Sequence, residues 1–183
     1  MGQNNNFLIV VPTLNSSNLV NKLVSSLNDQ IYKNWRLVFI DGNSSTFHKK
    51  ALKKYIKKNK RINFFNQSSK GKGIFGAMNQ GFRLAKHDEW ILFWGSDDFA
   101  YNRSVLNEIN NDINSISKGN KKVELFIYSA QYINLVSRLR GRKSNFLSKN
   151  IQLNRNQYLR HLFFGYTPPH QGCVFSPKLI KEA

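Results

Sequence analysis

Two adjacent carboxylates, Asp97 and Asp98, close the stretch EWILFWGSDD (89–98), in a chain with only 10 acidic residues against 28 Lys and Arg. Side by side they repel each other, and burying them is costly without a counter-charge. A hard divalent cation, Mg²⁺ or Mn²⁺, supplies that charge and prefers oxygen ligands. Held there, it would in turn hold a diphosphate and stabilise its negative charge as a leaving group. The rival reading is structural, with Asp97 capping the next helix and Asp98 solvated at the surface. Further polar groups stand at the ends of other apolar runs. Thr13 and Asn15 follow FLIVVP (7–12), Asp41 follows WRLVFI (35–40), and His170 and Gln171 lie in the late turn TPPHQG (167–172).

Elements that would bring these groups together are legible in the pattern. FLIVV (7–11), WRLVFI (35–40), RINFF (61–65), EWILFW (89–94) and VELFIYS (123–129) read as strands, the first ended by Pro12. Between them lie helical spacings. Leu19, Val20, Leu23, Val24 and Leu27 follow the capping candidates Ser16 and Ser17. Phe47, Ala51, Leu52, Tyr55 and Ile56 form a second face, and Ile74, Phe75, Met78, Phe82 and Ala85 a third. A fourth carries Leu106, Ile109, Ile113 and Ile116. Strands alternating with helices, and apolar along nearly their whole length, predict an α/β domain with a mainly parallel central sheet flanked by helices. In such sheets ligands bind beyond the carboxyl ends of the strands, where the polar groups fall. After about residue 130 the pattern weakens to a basic loop or hairpin tip (137–145), a short helix (154–165), a Pro-led turn into a strand (167–175) and the start of another helix.

Composition narrows the class. The 183 residues, 40% apolar with 14 Phe, suit one folded domain rather than a disordered chain. No apolar run reaches the roughly 20 residues of a membrane span, and the N-terminus lacks the basic start and long apolar stretch of a secretory signal. The single Cys173 leaves no internal disulfide and no cysteine metal cluster. A cytoplasmic location is therefore expected, with peripheral contact at the inner face of a membrane as an extension of it. The net charge of +18 favours anionic partners, whether a phosphorylated substrate, a membrane face or nucleic acid.

Five strings in order resemble family 2 glycosyltransferases of the GT-A type. IVVPTLN (9–15) is similar to the family opening, and LNDQIYKNWRLVFIDGNSS (27–45) to its segment running into an acid at a strand end. KGIFGAMNQGFRLA (72–85) resembles KGIYDAMNKGI-x-x-A, FWGSDD (93–98) the metal motif LNSDD, and HQGCVF (170–175) a later H-Q-x-x-F. The nearest likeness is to colanic-acid and exopolysaccharide transferases. The resemblance implies a GT-A, Rossmann-like nucleotide-diphospho-sugar transferase fold over residues 1–183, with a nucleotide-sugar half over about 1–100 and an incomplete acceptor half over about 101–183. Carried over, Asp41 would contact the nucleotide base and Pro12, Thr13 and Asn15 would line its pocket. Asn79 would lie on the helix shaping the donor site. Asp98, with Asp97, would hold Mn²⁺ or Mg²⁺, and His170 and Gln171 would lie near the diphosphate or the acceptor.

Departures from the family pattern are as specific as the matches. Thr46 replaces the second acid of DGGSTDG, while Ser69, Gly71 and Gly76 stand where acids are common, and Gly95 replaces an Asn or Asp. An inverting transferase needs a base to take the acceptor hydroxyl's proton. In the family this is a carboxylate downstream of the HQ segment, and Glu182 is the only acid after position 171. The chain is thus expected either to be truncated at the C-terminus or to be an inactive relative that binds nucleotide-sugar. His48, His87 and His161 carry no motif support and are expected at the surface or partly buried.

Lysine pairs in KKALKKYIKKNKR (49–61) predict an amphipathic helix with its charges outward, suited to solvent or to an anionic membrane bearing a lipid-linked acceptor. RLRGRK (138–143) would serve similarly or contact acceptor phosphates. No groove-reading or aromatic-platform motif accompanies the charge, which disfavours nucleic acid. A nucleotidyltransferase would need a Gly-rich basic loop after the first strand, and PTLNSSN (12–18) is not one. The sequence reads as a transferase moving a sugar from a nucleotide-diphosphate donor, expected to be a UDP-sugar, to a saccharide or lipid-linked acceptor with inversion, in cell-surface polysaccharide or lipopolysaccharide synthesis.

Overall fold

A computed structural model describes residues 3–119, 122–133, 140–144 and 152–181. Its centre is a six-stranded sheet in the order β3-β2-β1-β4-β8-β5. Strands β1 (Asn6–Thr13), β2 (Trp35–Asp41), β3 (Ile62–Asn66) and β4 (Glu89–Phe93) run parallel. Strand β8 (Cys173–Phe175) lies antiparallel between β4 and β5 (Leu125–Ile127). Helices α1 (Val20–Asn28), α2 (Thr46–Lys58), α3 (Gly73–Leu84) and α4 (Val105–Lys118) connect the strands. A hairpin of β6 (Ala130–Ile133) and β7 (Arg140–Ser144), helix α5 (Arg155–Phe163) and the short α6 (Pro177–Lys181) complete the described elements.

The central parallel strands β1, β2 and β4 are largely apolar because both faces of the sheet are covered there, while the edge strand β3 is mostly exposed. On one face Phe7, Ile9, Leu37, Phe39 and Leu92 pack with α1, α4 and Leu52 of α2. On the other, Leu8, Val10, Val38, Ile40, Ile91 and Phe93 pack with Ala77, Met78 and Phe82 of α3. One ion pair crosses this layer: Glu89 is buried and takes Arg36 through both oxygens, at 2.6 and 2.7 Å. The mainly parallel α/β architecture expected from the pattern is the one observed.

Local expectations required correction at several places. Strand β1 runs through Pro12 to Thr13, whose neighbours on β2 are Ile40 and Asp41. Ser16 and Ser17 do not cap α1; its N-cap is Leu19, and the Ser16 hydroxyl instead pairs with Ser96. Two helix faces hold in part: Leu52, Tyr55 and Ile56 of α2, and Met78 and Phe82 of α3 with Ala85 just beyond it, pack on the core as expected, but the N-terminal residues of each face do not. On α2, Phe47 is exposed while His48 is buried with Leu52, and on α3 the buried residues are Gly76, Ala77 and Gly81, leaving Ile74 and Phe75 in solvent. Small residues let α3 approach β1 closely, a contact that hydrophobic periodicity does not register. The basic segment 137–145 lies partly outside the described residues, and its residues 140–144 are a strand rather than a loop. No helix among the described residues is long and apolar enough to cross a membrane.

Candidate functional site

The carboxyl ends of β1 and β2 are joined through Asp41, which is fully buried. Its Oδ2 accepts the Ser44 N–H at 2.9 Å and lies 3.6 Å from Lys49 Nζ. Its Oδ1 accepts the Thr13 hydroxyl at 3.4 Å and lies 3.4 Å from Nε2 of His48. Asn15 and Asn43 have φ of +50° and +72°, conformations that Asn tolerates better than most residues. That of Asn15 lets its N–H donate to the Ser44 hydroxyl and its side-chain oxygen accept the Ser45 N–H. The two strand ends are therefore stitched into one rim, with Thr13 buried and Asn15 exposed.

His48 went unrecognised in the sequence and is not at the surface. It is 1% exposed, and neither ring nitrogen makes a hydrogen bond. Burial holds its pKa below the ordinary imidazole range, against the opposing pull of Asp41. The available signal was its i, i+4 relation to Leu52, which places it on the buried face of α2.

At the end of β4 the chain turns at Gly95. The Gly95 N–H donates to Asp98 Oδ2 at 2.5 Å, and the Asp98 N–H returns to the Gly95 carbonyl at 3.2 Å. A Cβ at position 95 would lie 2.8 Å from Asp97 Oδ1 and 3.2 Å from Asp98 Oδ2, so both carboxylates fold back over the bare glycine. Ser96 anchors the turn by donating to the Pro12 carbonyl at 3.3 Å. Burial raises the Asp98 pKa, and the Asp97 charge adds to it; the Gly95 N–H, His170 and the Gln171 side chain oppose the rise.

His170 and Gln171 reach this turn from 77 residues away, because the Trp94 indole N–H donates to the Gln171 carbonyl at 3.1 Å. They occupy a 3₁₀ turn, His170–Gly172, tied to β5 by the Tyr128 N–H donating to the Gly172 carbonyl at 2.8 Å. Only glycine fits at 172, since a Cβ would lie 2.2 Å from the Tyr128 carbonyl oxygen. Gln171 Oε1 is buried with no partner. Asn79 is exposed on α3. Beside the acid pair opens a cleft of about 500 Å³, lined by Asp97, Asp98, Phe99, Tyr101, Tyr132 and Gln171 among others, with Glu108 also on its wall.

The donor set fits a hard divalent cation. Two carboxylates and an orphaned amide oxygen adjoin on the same cleft, all oxygen ligands. Among the described residues no three His, Cys, Asp or Glu side chains converge, so the remaining coordination positions would be open to water and to a bound substrate.

Comparison with known proteins gives the family and the fold. The model of glycosyl transferase family 2 matches residues 8–174. A PGL/p-HBAD biosynthesis glycosyltransferase of Mycobacterium bovis (strain BCG / Pasteur 1173P2) is 30% identical over 100 residues, covering 55% of this chain and 38% of that protein. The GalNAc(5)-diNAcBac-PP-undecaprenol beta-1,3-glucosyltransferase of Campylobacter jejuni is 30% identical over 90 residues, 49% of this chain and 29% of that one. This chain thus spans well under half the length of either relative. Residues 1–349 of S. aureus TarS, in complex with UDP-GlcNAc, align over 97% of this chain and 47% of that one, at a TM-score of 0.70 and 21% identity. The mannosyltransferase PcManGT of Pyrobaculum calidifontis, with GDP-Man and Mn2+, aligns over 67% and 35%, at 0.55 and 17%. These two likenesses are of fold.

Proposed function

Because the chain belongs to glycosyl transferase family 2, we propose that it moves a sugar from a nucleotide-diphosphate donor, a UDP-sugar, to a saccharide or lipid-linked acceptor. The observation that carries the proposal is the Gly95–Asp98 turn, where two carboxylates face a cleft at the same sheet edge as the Thr13, Asn15 and Asp41 rim. The rim, with Pro12, takes the nucleotide. Asp98 and Asp97 hold Mn²⁺ or Mg²⁺, whose charge supports departure of the nucleotide diphosphate.

The chain's own residues do the positioning. Gly95 keeps both acids on one side of the turn, and Ser96 ties that turn to the nucleotide rim through Pro12. His170 and Gln171 close the diphosphate end, and Asn79 stands on the helix that borders the donor. The aromatic and polar walls of the cleft, Phe99, Tyr101 and Tyr132 with Gln171, suit a sugar ring on the acceptor side. Attack by the acceptor hydroxyl opposite the diphosphate would invert the anomeric carbon as its bond to the diphosphate oxygen breaks, the hydroxyl proton passing to a carboxylate of the kind the family places downstream of the HQ segment. The exposed Lys50, Lys53, Lys54, Lys57 and Lys58 of α2 suit contact with an anionic membrane carrying a lipid-linked acceptor, in cell-surface polysaccharide synthesis.

Titration calorimetry with UDP and Mn²⁺ tests the donor reading. Binding that requires the metal and is lost in Asp98→Ala is expected. No binding, or binding indifferent to Asp98→Ala, would sink it.

A further inference from the structure

Helix α5 turns its large apolar side chains outward, and none of its residues is buried. Tyr158, His161 and Leu162 are half-buried on one side of it. Leu159, Phe163 and Phe164, with Tyr166 just past the helix, are exposed. Phe163, at 86%, is the most exposed large apolar side chain among the described residues, and Phe164 stands at 72%.

A helix of nine residues is ordinarily held by a buried face, which α5 lacks. Local bonds replace it. At its start Asn154 and Gln157 form a capping box, with reciprocal bonds of 2.9 Å. At its end Gly165, at φ +79°, reverses the chain. The Gly165 N–H then donates to the Leu162 carbonyl and the Tyr166 N–H to the His161 carbonyl, both at 3.0 Å. The aromatic side chains are thereby gathered at one end. Phe163 and Phe164 meet edge to face at 5.5 Å, and Tyr166 stands edge-on to His161 at 6.0 Å.

The charge around these rings has one sign. Residues 125–181 contain nine Lys and Arg and no Asp or Glu. Arg155 and Arg160 are exposed on α5, and among the described residues neither is in an ion pair. Arg160 shares a shallow groove with Asn156, Leu159, Phe163 and Phe164. Guanidinium groups beside bare aromatic rings match the two layers of an anionic bilayer surface, phosphate outside and hydrocarbon beneath. A dissolved polyanion would satisfy the arginines but leave the rings in water.

Resting on the membrane-contact reading above, we propose that α5 and its aromatic turn insert into the interface of an anionic phospholipid bilayer. Phe163 and Phe164 enter the acyl boundary, and Arg155 and Arg160 meet lipid phosphates. The α2 lysines attract such a surface, and α5 enters it.

Co-sedimentation of the full chain tests this, with vesicles of phosphatidylcholine alone and of an equal mixture with phosphatidylglycerol. The unaltered chain is expected to bind the anionic vesicles at least ~10-fold more tightly than the neutral ones. Phe163→Ser with Phe164→Ser should weaken that binding by about tenfold or more. Far-UV circular dichroism should be unchanged, since both side chains are in solvent. Phe164→Trp gives a local readout, because Trp35, Trp90 and Trp94 are buried. Its added emission should shift to shorter wavelength on anionic vesicles and be quenched by lipids brominated on the acyl chain. An unshifted emission overturns insertion even where vesicles carry the chain down. Binding that is lost in Lys53→Gln with Lys54→Gln but indifferent to the Phe pair also overturns it, and leaves the membrane reading standing. No binding to anionic vesicles removes both, and self-association or oligonucleotide binding through the Phe pair would then name the occupant. The donor reading is untouched by any of these outcomes, since no nucleotide is present.

Discussion

Replacing Gly81 by alanine should destabilise the chain, although alanine is the better helix former. The added Cβ would lie 2.5 Å from Val10 Cγ1, 2.8 Å from Cγ2 and 3.1 Å from Cβ. Ordinary carbon contacts fall at about 3.5–4.0 Å, so α3 would have to withdraw from β1 by about 1 Å. No rotamer of Val10 relieves all three contacts, because one of them is to its Cβ. Overpacking by one methyl costs about 1–3 kcal/mol, and a fixed β-branched neighbour on a central strand argues for the upper end. The gain in helix propensity returns up to about 1 kcal/mol. A net loss of about 2 kcal/mol follows, or about 4–8 °C in melting temperature for a domain of this size.

Urea unfolding followed by far-UV circular dichroism measures the loss directly. A double-mutant cycle isolates its cause. Val10→Ala removes both γ-methyls and by itself costs about 2 kcal/mol of cavity. The pair Val10→Ala with Gly81→Ala should cost less than the two single changes added together, by about 1–2 kcal/mol, since the new methyl fills part of the void. Gly81→Ala matching or exceeding the parent in stability, or costs that simply add, would refute the close-approach account of α3.

Three other consequences can be measured. Glu89→Ala strips a buried bidentate partner from Arg36 and leaves the Lys86 N–H without the Glu89 oxygen it donates to; because Arg36 is one-fifth exposed, the loss is set below the full buried-pair range, at about 2–3 kcal/mol by urea unfolding. As pH falls below the ordinary imidazole value of 6.5, the unfolded chain takes up a proton on His48 before the folded chain does, so stability is present above 6.5 and declines as pH drops towards the depressed folded value. His48→Gln should flatten this decline, and identical slopes for variant and parent between about pH 7.5 and 5.5 would contradict it. Cys173 is buried and its thiol pushed up to about 12, so iodoacetamide at neutral pH should label the folded chain ~100-fold or more slowly than the chain in urea, and comparable rates would show the strand to be open.

What could be read in the sequence followed from burial on two sides. FLIVV and WRLVFI are apolar runs because their strands are covered above and below, and their polar successors lie at strand ends because the sheet stops there. The positions of the acid pair and of the rim residues at strand ends were legible for this reason. Helix faces were less so. Periodicity assumes that large side chains point inward, and α3 follows it only in part: Met78 and Phe82 pack on the sheet, but Gly76, Ala77 and Gly81 make the closest approach while Phe75 is 75% exposed. The nearness of Gln171 to Asp98 follows from the antiparallel pairing of β8 with β4, reinforced by the Trp94 indole bond across 77 residues, which no local pattern encodes.

The glycines at 71, 76 and 95 carry the same lesson further. In sequence each registers only as an acid, or an Asn or Asp, that the family has and this chain lacks. In three dimensions each is an occupied position with a neighbour at less than van der Waals distance from any added Cβ. Gly95 sits under two carboxylates, so restoring a side chain there would displace the oxygens proposed to hold the metal. Gly76 sits against Gly71 and Gln67 Nε2, so Gly76→Asp should not recover a lost function. It should prise the 67–73 loop from α3 and weaken UDP binding in titration calorimetry. An affinity gain in Gly76→Asp would mean that the absent acid, rather than the close glycine contact, is what the site misses.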